Sequence, residues 1–154
     1  MTALNLGGTT FVLLYKTRDY TSDIDYTCAA DTPASEKPNC NQQPRRLADK
    51  YKDEGLTEEG MNDHMSALPT IPKKQAEIFS EALNYENKHL QLFSSPYFVL
   101  YSATPDFQSQ QKIFAISSRE KSMDTFDAAV LVKAINDDEG QMPMTKCIAL
   151  AQKW

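Results

Sequence analysis

The amino-acid sequence predicts a mainly β fold built from antiparallel strands. Segments rich in β-branched and aromatic residues recur along the chain, most clearly at 9–17, 96–103 and 126–135. Turn-forming residues such as Pro105 and Asp106 separate the later segments. Because short turns join neighbouring antiparallel strands, we expect these segments to form a meander.

The first strand is predicted at 9–17, where Thr-Thr-Phe-Val-Leu-Leu-Tyr-Lys-Thr follows a loop at Gly7-Gly8. Residues 19–28 alternate Tyr, Ile and Tyr with polar residues, which favours a second or edge strand. Residues 31–46 contain three prolines among Ser, Asn and Gln, so an exposed loop is expected there.

The middle of the chain, 47–86, is compatible with helices or strands. Residues 47–68 show helical spacing of apolar residues but are interrupted by two glycines, which predicts a short or broken helix. Further on, propensity favours a helix at about 73–86 and a strand from His89. Three strands then follow at 96–103, 112–116 and 126–135, and 144–154 closes the chain as a strand or short helix.

Composition restricts the class of protein. A chain of 154 residues with 41% hydrophobic and 24% charged residues is typical of one globular domain, so we expect a single domain over 1–154. The net charge of −5 argues against nucleic acid as a partner. No apolar run approaches the roughly 20 residues that a membrane-spanning helix needs, so membrane insertion is not expected.

The sequence contains no recognisable catalytic, metal or cofactor motif. Gly-x-Ser-x-Gly is absent, and the five glycines match neither Gly-x-Gly-x-x-Gly nor Gly-x-x-x-x-Gly-Lys. His64 and His89 lie far from any cysteine, which argues against zinc. Cys28 and Cys40 flank a polar loop and could form a disulfide, with Cys147 left as a thiol; three thiols in a reducing compartment are the alternative.

Three stretches resemble lipocalins: Gly8-Thr-Thr-Phe11 with the following Tyr-containing strand, Cys28, and Pro-Tyr-Phe-Val-Leu-Tyr-Ser-Ala-Thr-Pro-Asp-Phe at 96–107. Gly8 matches the Gly of the family's Gly-x-Trp motif, with Thr10 in place of the Trp, and Lys133 stands for the basic residue of the last strand. The resemblance implies an antiparallel up-and-down β-barrel of eight strands around one ligand pocket. Some likeness to salivary lipocalins of blood-feeding arthropods implies a secreted protein in its mature form; a cytoplasmic location is the alternative.

The function implied by this resemblance is binding and sequestration or transport of a small, largely apolar molecule, with no chemistry performed on it. Alternation along the predicted strands selects the residues that would line the pocket. These are Phe11, Leu13, Tyr15, Tyr97, Val99, Tyr101, Phe114 and Val130.

Two other functions fit parts of the pattern. If the helix at 73–86 is long and packs on an antiparallel sheet, the fold is α+β, and a thioesterase of the hot-dog type becomes possible, with Glu77 or Glu81 as its acidic group. A protein-binding inhibitor or effector would instead use the loop at 31–46 as its contact surface.

Overall fold

The computed structural model describes residues 2–29, 32–33, 35, 49, 60–62, 70–85, 90–119 and 121–139. The chain is α+β. Its helices and strands are β1 (Thr2–Asn5), α1 (Thr9–Leu13), β2 (Ile24–Cys28), β3 (Met61–Asn62), α2 (Thr70–Leu83), β4 (Gln91–Ser94), β5 (Val99–Ser102), α3 (Pro105–Arg119) and α4 (Ser122–Glu139). They fall into two compact units, Met1–Ala103 and Thr104–Trp154. The single domain expected from chain length stays a prediction.

The first unit contains one open, mixed sheet with the strand order β3-β2-β1-β5-β4. The central strand β1 pairs antiparallel with β2 and parallel with β5, with Leu4 opposite both Thr27 and Tyr101. The outer strand β4 is antiparallel to β5, and β3 is parallel to β2. The predicted mainly β fold and up-and-down barrel are therefore wrong, because the sheet ends at β3 and β4 and does not close.

The core of the sheet is formed by Ala3, Tyr26 and Leu100, one residue from each of its three central strands. Cys28 packs against this cluster as a partly buried thiol. The predicted disulfide is wrong, because Cys28 carries a thiol and is not part of a disulfide. Cys40 and Cys147 are outside the described residues. The position of Cys28 at the end of β2 is explained by sheet packing.

Helix α2 confirms the helix predicted at about 73–86, although it begins at Thr70 and ends at Leu83. Its buried residues Ile78, Phe79 and Ala82 follow the spacing of one helix face. The Gln75 side chain fixes the helix to the sheet by donating from Nε2 to Thr27 Oγ1 at 3.1 Å and to the Cys28 carbonyl oxygen at 2.5 Å. The α+β alternative is therefore correct in class, although the sheet is mixed and not purely antiparallel.

The strand predicted at 96–103 is confirmed by β5, the strand predicted after His89 by β4, and part of 19–28 by β2. The strand predicted at 9–17 is wrong: α1 occupies its first half. The chain then reverses at Lys16, which has a φ of 52°, and Thr17 N donates to the Phe11 carbonyl oxygen at 2.9 Å. β-branched and aromatic residues are typical of strands, but a short helix followed by a reversal of the chain can contain the same residues.

In the second unit, the strands predicted at 112–116 and 126–135 are wrong, since α3 and α4 cover both ranges. Helix α3 begins at a proline, which suits a first helical turn, and Thr104 Oγ1 accepts a hydrogen bond from Phe107 N at 3.4 Å. Lys133 pairs with Asp137 at 2.6 Å on an exposed helix surface and not across a first strand. Of the helices in the described ranges, none has the length and apolarity needed to cross a bilayer.

Helices α3 and α4 are joined by a buried network of two cations and two carboxylates. Lys112 Nζ lies 3.0 Å from Asp124 Oδ1 and 2.7 Å from Asp127 Oδ2. Arg119 donates to both carboxylate oxygens of Asp124, from Nε at 2.8 Å and Nη2 at 3.0 Å. The Asp127 side chain is 0% exposed and that of Asp124 4%. Since the four charges balance, the helix pair can bury Lys112 and both carboxylates, while the Arg119 side chain stays 52% exposed.

The network makes the stability of the second unit sensitive to acid. Burial alone would raise the pKa of Asp124, but the hydrogen bonds from Arg119 and Lys112 outweigh burial and hold this pKa below its usual value. A carboxylate with a depressed pKa in the folded state contributes stability above its unfolded pKa of about 4 and loses it as pH falls through the folded value. We therefore expect the free energy of unfolding to decrease below about pH 4.

Thermal unfolding followed by circular dichroism from pH 7 to pH 2 measures this effect. Asp124→Asn is the comparison: it should be less stable than the wild type at pH 7 and should lose less stability on acidification. Parallel pH profiles for the two proteins would show that Asp124 does not carry the acid sensitivity.

Candidate functional site

The residues predicted to line a ligand pocket lie on elements of both units. Phe11 is buried on α1, and its ring centroid lies 5.8 Å from that of Tyr15. Tyr97 and Leu13 are exposed, and Val99 and Tyr101 lie on β5. The remaining two are on helices of the second unit: Phe114 on α3 and Val130 on α4. Their role in binding a ligand stays a prediction, but the barrel that was expected to bring them together does not form.

The structure instead places several polar residues around the turn from β1 to α1. Gly7 and Gly8 form this turn, between the last residue of β1 and the first of α1. A Cβ on Gly7 would lie 2.5 Å from Asp25 Oδ2 and 2.9 Å from Asp25 Cβ. Real Cβ atoms do not approach so closely, so the turn and the Asp25 side chain touch only because residue 7 is glycine.

Gly8 has a similar requirement for space. A Cβ there would collide with Thr21 Oγ1 and would lie 3.3 Å from Arg18 Nη1. Its φ of −58° and ψ of −28° are ordinary helical values, so any residue could adopt its backbone conformation. The two glycines are thus needed because the side chains of Asp25 and Thr21 pack directly against the backbone of the buried turn.

Two carboxylates flank the first residue of β2. Asp25 is the second residue of β2, and Asp23 immediately precedes the strand. The Asp23 carbonyl oxygen accepts hydrogen bonds from Thr9 Oγ1 at 3.3 Å and Thr21 Oγ1 at 3.2 Å. Thr21 Oγ1 also lies 3.4 Å from Asp23 Oδ1. These bonds hold Asp23 beside the start of α1, as Gly7 holds Asp25 beside the turn.

A cation completes the group. The guanidinium carbon of Arg18 lies 5.4 Å from the centroid of the Phe11 ring, within the range of a cation–π contact. Because Phe11 is fully buried, its ring is a fixed support for the arginine. We call Gly7, Gly8, Arg18, Asp23 and Asp25 the glycine–aspartate site.

A buried polar network supports the turn from beneath. Asn5 Oδ1 accepts hydrogen bonds from Thr10 Oγ1 at 2.9 Å and from Gly7 N at 3.3 Å, and its Nδ2 donates to the Asp25 carbonyl oxygen at 2.9 Å. Thr10 Oγ1 lies 3.2 Å from Ser102 Oγ on β5. Asn5, Thr10 and Ser102 are all 0% exposed. These polar groups can be buried because they form hydrogen bonds with one another in place of hydrogen bonds with water.

The described residues contain no group of three or more His, Cys, Asp or Glu side chains placed to hold a metal ion. A carboxylate pair is a different kind of site. Mg²⁺ is commonly bound by one or two carboxylates together with the phosphate oxygens of a substrate, and it keeps water in its other positions. Asp23 and Asp25 match that requirement if a phosphate compound supplies the remaining oxygens.

The sequence reasoning missed this site because it looked for longer glycine motifs. Gly7-Gly8 was interpreted as a plain loop, and Asp23 and Asp25 as the polar positions of an edge strand. A Gly-Gly pair following a short apolar segment, with Asp-x-Asp downstream, was the available signal. It acquires meaning only once β1 and β2 are known to be neighbours.

Substituting Gly7 tests the contact between the turn and β2. Gly7→Ala is expected to destabilise the protein by about 1–3 kcal/mol, because the new alanine Cβ overlaps the Asp25 side chain. The Cβ atom of Asp25 cannot move away without moving strand β2. Denaturant unfolding of Gly7→Ala, Asp25→Ala and the double variant measures the coupling. The double variant should lose less stability than the sum of the single losses. Strict additivity would contradict the contact.

No protein-family model matches the chain, and neither do curated proteins or solved structures. The resemblance to lipocalins is not tested by these comparisons, and the barrel that it implies is wrong. The geometry of the glycine–aspartate site therefore carries the functional assignment.

Proposed function

We propose that the glycine–aspartate site binds a magnesium-complexed nucleoside triphosphate and that the chain is an enzyme of nucleotidyl transfer. The contact of Gly7 with Asp25 carries this proposal, since it fixes a carboxylate that can bind metal beside the turn that Arg18 approaches. Phosphate groups bridge a guanidinium and a metal ion, because they accept hydrogen bonds from arginine and also coordinate Mg²⁺.

The metal is assigned to Asp23 and Asp25. They flank the first residue of β2, which provides two anionic oxygen donors at this end of the sheet. Both are partly exposed, so a hydrated ion can reach them. Oxygen donors are the ligands that Mg²⁺ prefers, and two carboxylates leave most of its six positions for phosphate oxygens and water.

The triphosphate is assigned to Arg18. Arg18 is held next to Gly8 and carries a charge of the sign that a polyphosphate requires. The parallel strands β1 and β5 end at this edge of the sheet, where ligands bind in open α/β sheets.

The carboxylate pair favours nucleotidyl transfer over transfer of the terminal phosphate. Polymerase-type sites use carboxylate-bound metal ions to stabilise the attacking and leaving oxygens of an in-line displacement. P-loop enzymes and protein kinases rely on longer glycine motifs and a lysine, and the sequence lacks those motifs. In the proposed step an acceptor hydroxyl attacks the α-phosphorus, the bond to the β-phosphate oxygen breaks, pyrophosphate leaves, and the acceptor proton passes to a carboxylate or to water.

Calorimetric titration of the protein with ATP in the presence and absence of Mg²⁺ tests the binding. We expect saturable binding that EDTA removes. Prolonged incubation with MgATP, with water as the acceptor, tests the reaction: AMP and pyrophosphate are the expected products. If ADP and phosphate form instead, the reaction is transfer of the terminal phosphate and not nucleotidyl transfer. The absence of metal-dependent binding would overturn the proposal.

A further inference from the structure

We infer that strand β4 is a contact surface at which two copies of this chain pair edge to edge. β4 is the last strand in the order β3-β2-β1-β5-β4, and within the described ranges it pairs on one side only, with β5. Three of its four residues, Gln91, Phe93 and Ser94, are exposed. An exposed edge strand offers its outer backbone N–H and C=O groups to a further strand.

The hydrogen bonds of the β4–β5 hairpin show which backbone groups point outward. Ser95 N donates to the Phe98 carbonyl oxygen at 2.8 Å, and the next pair along the ladder is Ser94 with Val99. Antiparallel pairs alternate between those that exchange hydrogen bonds and those that do not. The N–H and C=O of Ser94 are therefore directed away from β5, to the side where an incoming strand would bind.

The other end of β4 follows the same pattern. Ser102 N donates to the Leu90 carbonyl oxygen at 2.6 Å, and the next pair is Gln91 with Tyr101, so the backbone groups of Gln91 also face outward. A register shift between Gln91 and Phe93 separates the two outward-facing residues. Because so short an edge buries little surface, we expect a weak, reversible dimer; interfaces below about 1,200 Å² are typical of transient contacts.

The charge of the chain favours a second copy as the partner. The net charge is −5, so two copies repel each other unless they meet at an uncharged surface. Residues 90–105, which contain the whole hairpin, include no Asp, Glu, Lys or Arg, although 24% of the chain is charged. Edge strands that resist pairing commonly carry such charges. A charged peptide finds no complementary group on β4, whereas an identical strand meets no repulsion there.

Aromatic side chains beside this edge provide the apolar part of the contact. Phe93 is 51% exposed, and its ring centroid lies 6.2 Å from that of Phe98. Tyr97, in the turn between β4 and β5, is 85% exposed. A twofold axis brings the same surface of both copies together, so pairing at β4 would cover both exposed rings. Aromatic pairs across neighbouring strands stabilise a sheet.

Ser94→Pro tests the inference, because proline removes an outward N–H that the β4–β5 hairpin does not use. Sedimentation equilibrium of the full chain is measured between about 5 and 300 µM, the range in which a weak dimer dissociates. The wild-type mass is expected to rise with concentration from 17.4 kDa toward twice that value. Ser94→Pro should raise the dissociation constant at least about tenfold. Ser94→Ala, which keeps the N–H, is the matched control and should stay within about twofold of wild type.

A second pair of variants tests the uncharged surface. Phe93→Glu places like charges near each other across the twofold axis and should raise the dissociation constant at least about tenfold. Tyr20→Glu adds the same charge at a residue that is 81% exposed and lies between α1 and β2. Its effect should stay below about threefold, because salt screens distant exposed charges.

Three results would overturn the inference. The first is a wild-type mass of 17.4 kDa over the whole concentration range. The second is a folded Ser94→Pro protein that associates as strongly as Ser94→Ala, since the dimer would then form elsewhere. If circular dichroism shows that Ser94→Pro does not fold, Phe93→Glu decides: a loss equal to that of Tyr20→Glu would show that net charge, and not β4, controls association.

Discussion

Asp25→Asn is expected to lower the metal-dependent release of pyrophosphate from ATP by roughly 100-fold or more, while the protein remains folded. Asparagine keeps the shape of the side chain and its fit against Gly7, but it removes the negative charge that holds Mg²⁺. Losing one preorganised electrostatic group at a reacting centre typically costs about 10²–10³ in turnover. Mg²⁺ titrations of ATP cleavage, with the thermal midpoint of each variant, measure both effects.

Asp19→Asn is the matched control for this substitution. Asp19 lies in the connection between α1 and β2 and is exposed. The Asp19→Asn substitution removes the same negative charge as Asp25→Asn. It should retain ATP cleavage within about twofold of wild type, since screening by solvent weakens the influence of an exposed charge. If the two variants lose activity equally, the loss reflects net charge, and the metal does not lie at Asp25.

Lys112→Met is expected to reduce the free energy of unfolding by about 3–5 kcal/mol, the largest stability effect in the chain. Lys112 contacts both Asp124 and Asp127, and the Asp127 side chain is completely buried. Methionine fills a similar volume but leaves a buried carboxylate without its lysine. Denaturant unfolding at pH 7 provides the measurement.

Two further variants separate charge burial from the loss of an ion pair. Lys133→Met removes an exposed pair with Asp137, and it should change stability by less than about 1 kcal/mol. Combining Lys112→Met with Asp127→Leu should recover part of the loss, because an apolar pair can replace a buried ion pair. A Lys112→Met protein as stable as Lys133→Met would show that the network contributes little.

The sequence allowed some elements to be predicted and not others, for physical reasons. Helix α2 was predictable because Ala76, Phe79 and Leu83 recur at helical spacing, although the buried face consists of Ile78, Phe79 and Ala82, and Ala76 and Leu83 are exposed. Strand β5 was predictable because a short β-branched and aromatic segment follows a turn at Pro96. In both elements local propensity and burial agree.

Helix α4 shows why the other predictions were wrong. Its buried positions, spaced by three or four residues, include Asp124, Asp127, Leu131 and Ala134. Because two of these are carboxylates, a search for apolar periodicity finds no helical stripe and sees only the β-branched run near Val130. The periodicity of the buried face becomes visible once Lys112 and Arg119 are known to neutralise the two carboxylates.

The glycine–aspartate site was hidden for a related reason. Its chemistry depends on which strands are neighbours, and neither Gly7-Gly8 nor Asp23-Ile24-Asp25 reveals that alone. The pairing of β1 with β2 brings the two motifs together, and the pairing with β5 brings Ser102 beneath them. Such contacts between distant parts of the chain lie outside what local propensity can predict.

The parallel pairing of β1 with β5 has a consequence for biosynthesis. The hydrogen bond between Thr10 and Ser102 spans 92 residues, and β1 depends on β5 for one of its two neighbours. Strand β1 must therefore wait for the translation of almost one hundred further residues before its second edge is covered. Closing so long a loop is slow, so the nascent chain exposes an unpaired strand edge during synthesis, and a chaperone that shields β1 would raise the yield of folded protein.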